Sequence, residues 1–177
     1  MRIGLLGTGW IARMMARTVN GMKDVTLVAV ASRNQESADS FAEEFGIEKA
    51  YGSYEALASD ESVDLVFIGT PHSRHYDDCL MCIDHGRNVL CEKAFTANAK
   101  QAEEVIKAAH EKGVFITEAI WTRYIPMKFT LDKIIESGVI GNITSLTANL
   151  GYAIGNRERL SKPELAGGAL AMAAAGT

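Results

Sequence analysis

The stretch RIGLLGTGWIA, residues 2–12, decides how the rest of the chain is read. An apolar run of strand length meets Gly7, Gly9 and Ala12 and then passes into a helical pattern. Gly7 permits a tight turn. Gly9 lets another group approach the backbone closely, and Ala12 is small enough for a helix to pack against the strand. With Thr8, Trp10 and Ile11 between them, these residues make a G-x-G-x-x-A turn. The helix that follows offers unpaired N–H groups and a partial positive charge to a phosphate. A plain glycine-rich strand-to-helix turn is the alternative. The position of the pattern, at the head of a strand–turn–helix unit in an alternating series, favours the dinucleotide-binding turn.

That series runs through most of the chain. Residues 2–6, 25–31, 63–69, 88–92 and 114–119 are short apolar runs, with a weaker one at 49–51. They are apolar on both faces, as strands of a parallel sheet covered by helices on both sides must be. Amphipathic stretches separate them. Residues 10–20 place Ile11, Met14, Met15 and Thr18 on one side. Residues 35–45 end at Gly46, and 74–85 end at Gly86. Residues 98–112 place Ala102, Val105, Ile106 and Ala109 on one face and end at Gly113. The alternation predicts an α/β domain with a doubly wound parallel sheet over residues 1–121. Beyond it the pattern changes. A helix over 127–137 stops at Gly138, and NITSLTANLGY (142–152) alternates like a half-exposed antiparallel strand. Residues 122–177 therefore read as the beginning of an α+β domain with a mainly antiparallel sheet. The Ala-rich tail is the one low-complexity segment.

Composition narrows the function classes. The 177 residues are 47% hydrophobic and 23% charged, with net charge −4 and pI near 5.6. That is an ordinary globular balance without the basic stripe of a nucleic-acid binder. No apolar run reaches the roughly 18 residues of a membrane span, and the N-terminus lacks the apolar core of a secretory leader. Three cysteines look like reduced thiols rather than a disulfide framework, and the reading is a cytoplasmic protein.

The ends of the predicted strands carry the candidate site. The second ends in Ser32 and Arg33, where a strict NAD enzyme usually has Asp or Glu for the ribose 2′-hydroxyl. A guanidinium beside a hydroxyl suits a 2′-phosphate, so the expected cofactor is NADP, with NAD possible. The fourth runs into TPHSRH (70–75). Thr70 and Pro71 are expected beside the nicotinamide ribose. His72 and His75 are either cofactor contacts or ordinary first-turn helix residues. His75, Cys79, Cys82 and His85 share one helical face, but four ligands on one continuous helix cannot readily surround a tetrahedral metal. No metal is expected there, and core packing explains the cysteines.

The fifth strand runs into Glu92 and Lys93. A charged pair at the mouth of a buried strand is costly without a partner or a task. In the same crevice as the glycine turn, Lys93 could hydrogen-bond the nicotinamide ribose and a substrate oxygen. Its charge would lower the pKa of a neighbouring acid–base group and favour an oxyanion. Lys93 is the catalytic candidate, with Glu92 as a neighbouring cofactor contact. The alternative is a salt-bridged lysine at a strand end.

Together GTGWIA, the SR after the second strand, TPHSRH, CEKAF and EAIWTRYIP (118–126) resemble the glucose–fructose oxidoreductase/inositol dehydrogenase family, Gfo/Idh/MocA. WTRYIP followed by RLSKPELAGGAL is most similar to its dihydrodiol dehydrogenase branch. The resemblance implies a nicotinamide-dependent oxidoreductase of two domains and roughly 330 residues. It implies a hydride passed between the nicotinamide and a CH–OH or carbonyl carbon of a sugar, polyol or cyclic diol. It places Lys93 in the family's E-K-P motif, and Trp121 and Arg123 near the nicotinamide. It also implies a homodimer formed through the second domain.

Two departures stand out. Family members carry Pro where this chain has Ala94, so the Lys93–Ala94 bond is either trans or held cis by its surroundings. The family's Asp and proton-transferring Tyr or His after G-G-A-L fall on Met172 and Gly176. The acid–base residue is thus expected outside this sequence. Its absence supports the rival reading, a dinucleotide-binding sensor that turns nothing over.

Overall fold

The computed structural model describes residues 1–147 and 149. The backbone separates into a unit spanning Met1–Ala119 and a second unit beginning at Ile120. In the first, β1 (Arg2–Leu6), α1 (Trp10–Asn20), β2 (Thr26–Ala31), α2 (Gln35–Phe45), β3 (Lys49–Tyr51) and α3 (Tyr54–Ala58) make one half. β4 (Leu65–Ile68), α4 (His75–Asp84), β5 (Asn88–Cys91), α5 (Ala99–Lys112) and β6 (Ile116–Glu118) make the other. All strand pairings are parallel, in the order β3-β2-β1-β4-β5-β6. This is the doubly wound α/β sheet expected from the alternation. Winding reverses between β1 and β4, and there the carboxyl ends of the strands open a crevice.

Side-chain alternation along the strands feeds two cores. Ile3, Leu5, Leu27, Val30 and Phe67 face Ala12, Ala16 and Val19 of α1 and Phe41 of α2. Leu6, Ala29, Val66, Ile68, Val89 and Cys91 face Leu57 of α3, Cys79, Cys82 and Ile83 of α4, and Val105 and Ala109 of α5. Burial on both faces explains why the strands read as unbroken apolar runs.

Two helix faces differ from the sequence reading. The buried stripe of α1 is Ala12, Ala16 and Val19, while Met14 is exposed and Ile11 and Met15 are half-buried. A helix that starts at a tight turn lies too close to the sheet for large side chains, and its alanines take the contact. In α5, Val105 and Ala109 are buried but Ile106 is 55% exposed. The contact line follows i, i+3 and i+7 from Ala102, and Ile106 falls off its edge. The helix expected over 74–85 is α4, His75–Asp84, preceded by a 3-10 turn, His72–Arg74. In the second unit a 3-10 turn, Trp121–Arg123, precedes α6 (Pro126–Glu136), where proline occupies the first turn. Residues 142–147 form no strand; the rest of the strand expected over 142–152 lies outside the described residues, apart from Asn149.

One polar cluster braces the edge of the sheet. Asp60 accepts from Lys49 Nζ at 2.9 Å, from the Tyr51 hydroxyl at 2.9 Å and from Ser62 N–H at 2.9 Å. Burial alone would raise its carboxyl pKa. Its bonds to Lys49, Ser62 and Tyr51 outweigh that and hold it well below the ordinary range. On the surface, the Arg2 side chain and backbone hold Asp64 down to about 2. Groups with depressed folded-state pKa values stabilise the fold above their unfolded pKa, near 4, and that stability is lost as pH falls through the folded value. Asp60→Asn is therefore expected to be less stable than wild type by about 1 kcal/mol at pH 7. The gap should narrow as pH falls towards 3. Urea midpoints at several pH values measure it; a gap independent of pH would contradict this account.

Candidate functional site

The register of the sheet assembles the site. Tyr51 is level with Ala31, Ala31 with Leu6, Leu6 with Ile68, Ile68 with Cys91, and Cys91 with Glu118. One line thus crosses all six strands at their carboxyl ends. Ser32, Gly7, Gly69 and Glu92 each follow immediately beyond it. Residues from four separate stretches of sequence meet at one edge.

At the centre is the glycine turn. Gly7 has φ +98°, and its N–H donates to the Ala31 carbonyl at 2.9 Å. A β-carbon there would lie 3.1 Å from the Gly69 carbonyl oxygen, so both conformation and space require glycine. Gly9 is different. It precedes α1 in an ordinary extended conformation, φ −75° and ψ −175°, and a β-carbon there would meet no atom within 4 Å. No side chain caps this end of α1, and its first turn carries no acidic residue. The fold does not need glycine at position 9, whereas an anion resting against the helix N-terminus does. Trp10 begins the helix and is 70% exposed. Ile11 lies behind the turn, half-buried.

On the β2 side, Thr8 and Ser32 hydroxyls are 3.4 Å apart, linking the turn to the strand end. Ser32 is buried, its N–H donating to the Tyr51 carbonyl at 3.0 Å, and Arg33 beside it is exposed. Asn34 then caps α2 by accepting from Ser37 N–H. The guanidinium therefore stands exposed at the rim while its neighbours hold the backbone.

On the β4 side, Thr70 is buried and donates its hydroxyl proton to Asp78 Oδ2 at 2.7 Å. Asp78 is fully buried, and its other oxygen accepts from Arg74 Nη2 at 2.7 Å. Asp78 is not among the site residues expected from the sequence. Its visible signal is only an acid four residues after an arginine; its burial beneath Thr70 depends on how α4 docks. Pro71 is extended and exposed, and His72 stands on the 3-10 turn with its ring 5.5 Å from that of His75. His75 is fully buried. Its Nδ1 lies 2.7 Å from the Ala94 carbonyl oxygen and its Nε2 3.0 Å from that of Thr70. Both nitrogens face backbone, so His75 joins two strand-end segments rather than facing the crevice. Cys79 and Cys82 sit in the apolar core, and His85 Nδ1 faces the Met81 carbonyl.

On the β5 side, Glu92 N–H donates to the Ile68 carbonyl at 3.0 Å, and the Glu92 carboxylate accepts from Lys93 N–H at 3.1 Å. The Lys93–Ala94 peptide bond is cis. Lys93 itself is half-buried. Trp121 and Arg123 share the 3-10 turn of the second unit, with Trp121 66% exposed. Met172 and Gly176 lie outside the described residues.

A parallel sheet in this order, a glycine turn at its switch point and an uncapped helix N-terminus define a dinucleotide-binding Rossmann unit. The chain belongs to the Gfo/Idh/MocA oxidoreductase family with an NAD-binding Rossmann fold, whose profile matches residues 1–119. It is 39% identical over 169 residues to trans-1,2-dihydrobenzene-1,2-diol dehydrogenase of Xenopus laevis, covering 94% of this chain and 51% of that one. It is 37% identical over 194 residues to the D-xylose 1-dehydrogenase (NADP(+)) of Hypocrea jecorina, covering 96% and 49%. Among solved structures, an NAD binding oxidoreductase from Klebsiella pneumoniae superimposes with TM-score 0.80 at 30% identity, over 97% of this chain and 49% of that one. The chain thus spans about half the length of the known relatives it matches. The family resemblance read from the motifs and the doubly wound fold are both borne out.

Proposed function

We propose that the protein is an NADP-dependent oxidoreductase acting on a CH–OH or carbonyl group of a sugar, polyol or cyclic diol. One observation carries the reading: the register puts the Gly7–Gly9 turn and the Glu92–Lys93 segment on one edge of the sheet, with only β4 between them. The relatives named for a dihydrodiol and for D-xylose support the substrate class, and the second of them the choice of NADP.

The bound nicotinamide supplies the hydride acceptor or donor. The chain's own residues hold and polarise. Amides at Gly9, Trp10 and Ile11 receive the pyrophosphate, Gly7 sets the turn, and Thr8 keeps it against Ser32. Ser32 and Arg33 read the adenosine ribose. Thr70, fixed by Asp78, and Pro71 border the nicotinamide ribose, with His72 and Glu92 beside them. Lys93 presents its ammonium to the substrate oxygen, where it favours the charge that develops as the carbon changes oxidation state. Trp121 and Arg123 complete the nicotinamide end on the strength of the family motif. In this reading residues 1–121 are the dinucleotide domain and 122–177 open a second domain that carries substrate contacts and a homodimer interface. Free, buried Cys79, Cys82 and Cys91 fit a reducing cytoplasm. Among the described residues no helix is long and apolar enough to cross a membrane.

Two measurements test the proposal. Full-length protein should reduce NADP⁺ with at least one member of a panel of aldoses, polyols and trans-diols. Binding of NADPH without turnover on any of them would favour the sensor reading instead. For the cofactor choice, Arg33→Ala should lose about 1.5–3 kcal/mol of NADPH affinity, a charge-assisted bond, with NADH binding unchanged. Equal NADPH dissociation constants for the two proteins would remove Arg33 from the site.

A further inference from the structure

The segment that carries Lys93 has no regular structure of its own. β5 ends at Cys91 and α5 starts at Ala99, and residues 92–98 belong to neither helix nor strand. Beyond Glu92, whose N–H still bonds the Ile68 carbonyl, the segment leaves the ladder, and its position depends on the side chains that reach it. Three contacts hold residues 94 and 95, two of them from distant elements. Ala94 C=O faces His75 Nδ1 of α4 at 2.7 Å. Phe95 C=O receives the Cys91 thiol at 3.8 Å, a weak bond. Phe95 N–H donates to Glu118 Oε1 at 2.8 Å.

Glu118 stands out among these. It is the last residue of β6 and is level with Cys91 across the ladder. Its place is therefore set by the sheet, one strand beyond β5. Its carboxylate reaches back over the end of β5 to a peptide N–H two residues past Lys93. A carboxylate accepting from a backbone N–H makes a charge-assisted bond, the strongest kind available to hold an irregular turn. His75 of α4 meets the other end of the same Ala94–Phe95 peptide, its carbonyl.

We propose that Glu118 is a positioning residue for Lys93: by holding Phe95 N–H it fixes the irregular segment from which Lys93 reaches the crevice. This rests on the catalytic role proposed for Lys93. The bond requires an oxygen acceptor of the right reach, and the negative charge only strengthens it. Glutamine keeps that oxygen, aspartate retracts it by one methylene and alanine removes it.

The test uses full-length protein and compares Glu118→Ala, Glu118→Asp and Glu118→Gln with wild type. Misplacement of a catalytic group by about an ångström is expected to lower kcat by roughly 10–100-fold in Glu118→Ala, while the NADPH Kd stays within about twofold. Glu118→Gln should recover most of that loss. Amide hydrogen exchange supplies a reading that does not depend on turnover: Phe95 N–H should exchange at least about tenfold faster in the alanine variant and near the wild-type rate in the glutamine variant. If Glu118→Ala does not fold, Glu118→Asp carries both measurements with the same direction of effect. Wild-type kcat in the alanine or aspartate variant, or unchanged Phe95 exchange, would overturn the proposal. So would a glutamine variant as slow as the alanine one with its Phe95 amide still protected, since charge alone would then be at stake. Lys93→Met in the same series separates the two readings. Full activity there would sink the role of Lys93, whereas Phe95 exchange in the Glu118 variants would still report on the clamp.

Discussion

Lys93→Met is expected to lower kcat by roughly 10²–10³-fold, the usual effect of deleting one preorganised donor to a developing oxyanion. Methionine keeps an unbranched apolar stem of similar length and removes only the ammonium. The neighbouring anchors, Glu92 N–H on Ile68, Ala94 C=O on His75 and Phe95 N–H on Glu118, involve backbone and other side chains and should survive. The NADPH dissociation constant should therefore move far less than kcat. Lys93→Arg should not rescue, because a planar guanidinium on a longer stem cannot occupy the place of a compact ammonium. Steady-state kinetics on the full-length protein, with NADPH titrated separately, decide the matter. A kcat within about threefold of wild type would exclude Lys93 from the chemistry, since any real oxyanion contact is worth more than that.

The second large effect is on binding. Gly9→Val should leave the fold intact, with Tm within about 2 °C of wild type, and raise the NADPH Kd by roughly 100-fold, about 2.7 kcal/mol. The argument is the contrast between two glycines two residues apart. Position 9 has dihedral angles open to any residue and empty space around a β-carbon. A β-carbon added there meets no protein atom within 4 Å, and a branched side chain would stand in front of the helix N-terminus. Position 7 has φ +98° and a backbone carbonyl 3.1 Å from a β-carbon. Gly7→Ala should therefore destabilise the fold itself, by about 1–2 kcal/mol. Thermal melts and cofactor titrations on both variants separate a glycine required by the turn from one required by the ligand. Loss of stability in Gly9→Val equal to that in Gly7→Ala would show that both serve the fold alone.

Much of this site is legible in the amino-acid sequence. The glycine turn, the Ser32–Arg33 pair and the Glu92–Lys93 segment are local signals, each at the end of an apolar run. The features that sequence patterns misplace share a cause. On α1, hydrophobicity points to Ile11, Met14 and Met15, but the helix approaches the sheet so closely that Ala12 and Ala16 make the contact. Periodicity ranks residues by apolarity, whereas close packing ranks them by size. His75 can be read from its position as a cofactor contact or as a helix residue. The 3-10 turn before α4 rotates it inward between two carbonyls, and no pattern in TPHSRH reveals that rotation. Asp78 and Glu118 look like ordinary acids in the sequence, because Thr70 and Phe95, which they hold, lie 8 and 23 residues away.

By itself, the sequence determined everything that depends on near neighbours. Turn conformation, strand and helix alternation and the chemistry carried to each strand end are set by residue type within a few positions. Tertiary structure alone decided strand order and register, and with them that Gly7, Ser32, Thr70 and Lys93 share one edge. It also decided which distant side chains hold the Lys93 segment. Parallel strands are joined only through long crossovers, so no local interaction specifies which ends become adjacent. That adjacency emerges only when both faces of the sheet are buried together.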